Sequence, residues 1–112
     1  PSSVEQIGFN AFNKCSSLIE IILPSELNEI KSSTFSGCTN LKHIRIPSSV
    51  TKIEDLAFNR CFSLKRISIP YSVNYIGSYV FGKCKSLIQI SIPSSFDIKS
   101  IGISSRVEII RI

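Results

Sequence analysis

Apolar and polar residues alternate along this chain in a pattern that returns every 23 positions. Each of the first four intervals opens with Pro, passes through a Phe and a Cys three residues apart, and closes with Leu-x-x-Ile-x-Ile or a close variant. The Pro column is Pro1, Pro24, Pro47, Pro70 and Pro93. The Phe and Cys columns are Phe12, Phe35, Phe58 and Phe81, and Cys15, Cys38, Cys61 and Cys84. Several columns at one period indicate a repeat architecture.

The sequence pattern of each repeat predicts two extended segments joined by turns. Residues 64–69 alternate polar and apolar side chains with many β-branched residues, which is typical of a strand. Pro70 then ends that strand because it lacks an N–H. Residues 50–53 predict a second, shorter strand. Residues 54–60 predict one or two helical turns, which are too short to be stable alone.

A 23-residue unit cannot bury its own apolar face, so identical units are expected to stack. Equivalent strands then become neighbours in a parallel sheet, about 4.8 Å apart, and the Phe column forms a spine under the helical side. The expected fold is an α/β solenoid of about five coils in a single domain. We expect repeats at 1–23, 24–46, 47–69 and 70–92, and a shortened last coil at 93–112 that lacks the Phe and Cys positions.

The third repeat carries a recognisable consensus. Its residues are Ile46, Pro47, Ser48, Ser49, Val50, Ala57, Phe58, Cys61, Ser63, Leu64 and Ile67. This pattern resembles the BspA-like leucine-rich repeats, fully over residues 1–92 and partly over 93–112. The resemblance implies a modular surface or secreted protein that binds other proteins and has no enzymatic activity in the repeat. It implies a location at the cell surface or outside the cell, with a cytoplasmic location as the alternative.

Charge and motif content narrow the possible chemistry. The net charge is +5, from 13 Lys and Arg against 8 Asp and Glu, which favours acidic partners without implying nucleic acid. The single histidine, His43, excludes multi-histidine metal sites and catalysis by two imidazoles. No apolar run approaches the ~18 residues of a membrane span. We therefore expect no enzyme, no cofactor, no nucleic-acid partner and no membrane insertion.

The Cys column allows two interpretations. A spacing of 23 places the thiols in a row along the solenoid, so they do not converge on a metal ion. Neighbouring Cα atoms lie within disulfide range, but parallel Cα–Cβ bonds keep the Cβ atoms further apart than the roughly 3.8 Å of a bridge. The sequence favours buried free thiols that act as small apolar residues, and a disulfide between neighbouring coils is the alternative.

The outward positions of the closing strands form the candidate binding surface, which is the concave face in leucine-rich repeats. Two adjacent strands place Lys42 beside Lys65 and His43 beside Arg66, and like charges opposite each other destabilise a sheet. The predicted partner is a protein with an acidic surface, and the alternatives are a solvated face or a purely structural spacer. The predicted binding residues are Lys42, His43, Arg45, Lys65, Arg66, Ile88 and Gln89.

Two further expectations concern the ends and the opposite side. A chain that opens on Pro1 is expected to be a piece of a longer protein. Neither end carries a polar cap, so Val4, Ile7, Phe12 and the strand at residues 107–112 would be uncovered. We expect end-to-end self-association, or a parent chain that continues past at least one end. A second basic column lies beside the Cys column and is expected to be solvated; it consists of Lys14, Arg60 and Lys83.

Overall fold

Two short strands per repeat, separated by tight turns, build a parallel-strand β-solenoid of about four turns. The computed structural model describes residues 7–8 and 10–112, so Pro1 and Val4 lie outside the described residues. The strands are β1 (Glu20–Ile21), β2 (Glu29–Ile30), β3 (His43–Ile44), β4 (Lys52–Ile53), β5 (Arg66–Ser68), β6 (Tyr75–Ile76), β7 (Gln89–Ile92) and β8 (Glu108–Arg111). We call the side formed by β1, β3, β5, β7 and β8 the front face, and the side formed by β2, β4 and β6 the back face.

The back face is one continuous parallel sheet in the order β2-β4-β6. Its register places Glu29 opposite Lys52 and Lys52 opposite Tyr75, which is a shift of one repeat per strand. The front face is divided into two parallel sheets, β1-β3 and β5-β7-β8. The expectation of one unbroken front sheet is therefore wrong at one place, between the second and third coils.

The segment expected to form helical turns contains no helix in any described coil, so the α/β class is also wrong. Its N–H groups alternate between two kinds of partner. In the third coil, Ala57 and Asn59 close local turns, whereas the N–H of Phe58 donates to the carbonyl of Val80 in the next coil at 2.9 Å. A helix would need all of these N–H groups to bond along its own axis. The sideways bonds replace helix formation and hold the coils together.

Two positions in each of these turns have positive φ, which also excludes a helix. One column has φ between 52° and 84° and consists of Asn10, Ser33, Leu56, Tyr79 and Gly102. The other has φ between 59° and 76° and consists of Lys14, Gly37, Arg60 and Lys83. Left-handed geometry disfavours most L-residues by about 1–2 kcal/mol each. The basic column beside the Cys residues is therefore held in a strained backbone conformation.

The core is a stack of equivalent side chains, as the columns predict. Phe12, Phe35, Phe58 and Phe81 stack nearly parallel, with ring centroids 5.4, 5.4 and 5.7 Å apart. The four cysteines are free, so the disulfide alternative is not adopted. Each of the last three thiols lies 3.1–3.2 Å from the carbonyl oxygen of the Phe 26 residues earlier, to which it donates. Each of these Phe carbonyls also accepts the N–H of the Cys three residues after it, so the thiol ladder adds a second donor, from the next coil, to a carbonyl that already closes a turn.

Candidate functional site: a cationic groove where the front sheet divides

The division of the front face begins at the first residues of its strands. The N–H of Lys42 donates to the carbonyl of Ile19 at 2.8 Å, and the N–H of Ile88 donates to the carbonyl of Lys65 at 2.8 Å. The corresponding bond between the second and third coils would join the N–H of Lys65 to the carbonyl of Lys42. That bond is absent from the part of the chain that the structure describes.

The same interruption is present at the other end of these strands. The N–H of Ile69 donates to the carbonyl of Ser91 at 2.7 Å, which links the third and fourth coils. The equivalent bond one coil earlier would join Ile46 to Ser68, and within the described residues it is not formed. The described strands β3 and β5 are not paired. The bond at this second position is also absent, within the same residues, between Leu23 and Arg45, where β1 and β3 are paired, so the missing bond at Lys65 is the one that distinguishes the division.

On the other side of the molecule the same two coils remain tightly joined. The N–H of Phe35 donates to the carbonyl of Ala57 at 2.9 Å, and the N–H of Glu54 donates to the carbonyl of Ile30 at 2.8 Å. The strands β2 and β4 are also paired. The second and third coils thus separate only at the front face, as a wedge that is closed at the back.

The charges on the paired strands explain why those strands stay together. Glu20 stands opposite His43 where β1 pairs with β3. Gln89 stands opposite Glu108 where β7 pairs with β8, and its amide donates to the carboxylate at 2.8 Å. Arg66 stands opposite the neutral Gln89 where β5 pairs with β7. At these three junctions, among the described residues, no Lys or Arg stands directly opposite another Lys or Arg.

Among the described front strands, the two neighbours that do not pair are those whose pairing would set basic residues opposite basic residues. Continuing the register would place Lys42 beside Lys65 and His43 beside Arg66. Like charges directly opposite each other destabilise strand pairing, and one carboxylate, Glu20, lines the same part of the front face. The unpaired strands are thus the ones on which the sequence predicts repulsion.

A groove of about 720 Å³ lies over this part of the front face and is lined from β1 across β3 to β5, a volume within the usual range of about 300–1,000 Å³ for ligand sites. Its polar rim carries five basic residues and one acidic residue, Glu20, and its apolar lining comes from Ile21, Ile22 and Ile44. A second groove of about 260 Å³ shares Ile44 and Arg45 with the first and extends past Ser48. Together they follow the division of the sheet in the direction of the strands.

Five of the seven predicted binding residues lie together in this groove, and two lie beside it. The lining includes Lys42, His43, Arg45, Lys65 and Arg66, all with exposed side chains. Ile88 and Gln89 are on the next strand of the same face: Ile88 is 45% exposed, and Gln89 is engaged with Glu108. The groove itself was not predicted, although the like-charged pairs were the signal for it.

Metal ligands, reactive thiols and membrane-spanning helices are further features that could give the described residues a function. No group of three or more His, Cys, Asp or Glu side chains in these parts of the chain could hold a metal ion. Burial raises the pKa of Cys38 and of Cys84 to about 11, so neither thiol is ionised near neutral pH. A search of the same residues finds no helix that is both long and apolar enough to cross a membrane.

Comparison with known proteins now identifies the repeat. The sequence profile of the BspA type leucine rich repeat region matches residues 1–110 in six copies. The chain belongs to this leucine-rich repeat family. Among curated proteins, no sequence matches this BspA-type chain significantly.

Solved structures of other leucine-rich repeat proteins share the fold. A leucine-rich repeat protein from Bacteroides ovatus is 42% identical over 85% of this chain, with a TM-score of 0.81. The T. pallidum leucine-rich repeat protein is 31% identical over 98%, with a TM-score of 0.78. A leucine-rich cell surface protein from Faecalibacterium prausnitzii is 29% identical over 78%, with a TM-score of 0.69. The chain covers 24%, 49% and 29% of these three proteins, respectively.

Proposed function

We propose that this chain is a non-catalytic binding module whose front face takes an acidic region of a protein partner. The observation that carries the proposal is the groove at the division of the front sheet, where five basic residues meet one carboxylate. An anionic partner would relieve the repulsion between the second and third coils and would gain charge-assisted hydrogen bonds, above all to Arg45 and Arg66. The front face corresponds to the face expected to be concave in leucine-rich repeats.

The family supports this proposal in a general way, since its repeats typically serve as interaction modules and no catalytic family is indicated. We also propose a location at the cell surface, supported by the Faecalibacterium prausnitzii relative that is described as a cell surface protein. The 112 residues would act as one repeat domain, because the stacked columns continue from the first described coil to the last.

A structural spacer is the competing function, and the cost of keeping the cations together argues against it. A spacer needs only stacked coils, and those are provided by the continuous back face and the Phe stack. Replacing Lys65 by a neutral or acidic residue would serve a spacer better, because it would remove a like-charged pair from a sheet. The retained repulsion is better explained by a partner that offsets it.

Charge reversal on the third front strand tests this function. The variant carrying Lys65→Glu and Arg66→Glu is compared with the wild type for binding to poly-L-glutamate by fluorescence anisotropy. We expect the wild type to bind, with affinity that falls as salt rises because exposed charges are screened over about 8 Å at physiological ionic strength. We expect the variant to bind at least ten-fold more weakly.

The matched control carries Lys83→Glu and Lys99→Glu, which change the net charge equally at two exposed sites outside the groove. This control should bind almost as the wild type does, apart from a small long-range effect. Equal losses in the two double variants would show that only net charge matters, and the groove would then not be the site. Absence of binding by the wild-type protein would favour the spacer.

A further inference from the structure

Two backbone groups along the division of the front sheet lack the partners that their equivalents have in the other described coils, and a third, the N–H of Ile46, is unpaired as is its equivalent in Leu23. The N–H of Lys65 and the carbonyl of Lys42 would bond to each other in a continuous sheet, and in the described chain neither makes a hydrogen bond. The N–H of Ile46 is also without a partner there, although this residue is only 5% exposed. Buried backbone groups such as that of Ile46 normally find a partner, and the groups of Lys42 and Lys65 lie on exposed residues that a ligand can reach.

The unpaired groups include both donors and an acceptor, which restricts the kind of ligand. A sulfate or an isolated carboxylate supplies acceptors only and would leave the Lys42 carbonyl without a partner. The backbone of a peptide supplies N–H and carbonyl groups in alternation, which is how extended segments add to exposed sheet edges. The chemistry of the division therefore favours a peptide backbone over a simple anion.

The shape of the site agrees with an extended segment. The two connected grooves run from Lys42 and Lys65 at one end to Ser48 and Pro70 at the other. Six residues of extended chain at about 3.3 Å each span roughly 20 Å. Acidic side chains on such a segment would reach Arg45 or Arg66 at the rim, while small apolar ones would contact Ile44.

We propose that the partner segment is an extended acidic peptide whose backbone hydrogen-bonds to Lys65, Lys42 and Ile46 across the division between β3 and β5. This proposal rests on the anionic binding function proposed above and adds the conformation of the ligand. A folded acidic surface without a free extended segment would not satisfy these backbone groups.

A capped eight-residue peptide in which glutamate alternates with valine is the probe. Two derivatives carry N-methyl groups, one on every valine and the other on every glutamate, so that charge and side chains are unchanged while alternate N–H donors are lost. Inorganic tripolyphosphate is the anion without a peptide backbone. Binding of all four to the full 112-residue chain is measured by calorimetry, with the Lys65→Glu, Arg66→Glu variant in parallel.

We expect the parent peptide to bind the wild-type protein, and at least one N-methylated derivative to bind ten-fold more weakly or worse. If both derivatives bound as tightly as the parent while charge reversal still abolished binding, the backbone inference would be overturned and the anionic site would stand. Tripolyphosphate binding as tightly as the peptide would lead to the same conclusion. If neither the peptide nor tripolyphosphate bound, the anionic site and the inference would both be wrong.

Discussion

Replacing Phe58 by alanine is expected to destabilise the solenoid more than the same change at Phe12. The Phe58 ring is fully buried and stacks between two others, at 5.4 Å from Phe35 and 5.7 Å from Phe81. Truncating a buried Phe costs about 3–5 kcal/mol, and each stacked aromatic pair contributes about 0.5–1.5 kcal/mol beyond buried area. We therefore expect the upper half of that range, a large part of the ~5–15 kcal/mol stability of a domain.

Phe12 provides the comparison within the same column, because it is half-buried and has one described stacking partner, Phe35 at 5.4 Å. Its truncation should cost at least about 1.5 kcal/mol less than that of Phe58, since one stacked pair and part of the burial are missing. Urea denaturation followed by far-UV circular dichroism gives both free energies of unfolding. Equal losses at the two positions, or a loss below about 1 kcal/mol at Phe58, would refute the stacked spine as the main source of stability.

Two smaller predictions concern the backbone and the thiols. Lys83→Gly should raise the free energy of unfolding by about 0.5–1 kcal/mol, because φ is 59° there and Gly37 already occupies the equivalent position; Lys83→Ala, measured by the same urea titration, should give no such gain. Burial raises the pKa of Cys38 and Cys84 from 9.0 to about 11, so unfolded thiols release protons first as pH rises. The contribution of these two thiols to stability should be constant below about pH 9 and fall between pH 9 and 11. Urea midpoints across this range should therefore fall less steeply in a Cys38→Ala, Cys84→Ala variant.

The repeat architecture could be predicted from the sequence because it depends on spacing alone. Residues 23 apart in a solenoid become neighbours whatever the local backbone does, so the parallel strands and the Phe stack follow from the columns. The turn between them could not be predicted in the same way. Leu56 and Arg60 have ordinary helix propensity, and their positive φ is imposed by hydrogen bonds to Ser78 and Gly82 in the next coil.

The candidate site was predicted in its residues but not in its shape. Side-chain alternation places Lys42 and Lys65 on the outward face, and the structure has them there. The sequence also shows that like charges would oppose each other. The two strands could stay paired with their side chains splayed apart, or they could separate. The outcome depends on the balance between charge repulsion and backbone hydrogen bonds across two coils, and the sequence of one repeat does not predict it.

Amide hydrogen exchange measured by NMR tests whether the front sheet divides between β3 and β5 at the proposed binding groove. In the free protein, the Lys65 amide should exchange much faster than the amides of Lys42 and Ile88, which occupy equivalent positions and donate at 2.8 Å. The alternating glutamate and valine peptide should then slow exchange at Lys65 and leave the other two unchanged. Protection of Lys65 in the free protein equal to that of Ile88 would show a continuous sheet and contradict the account.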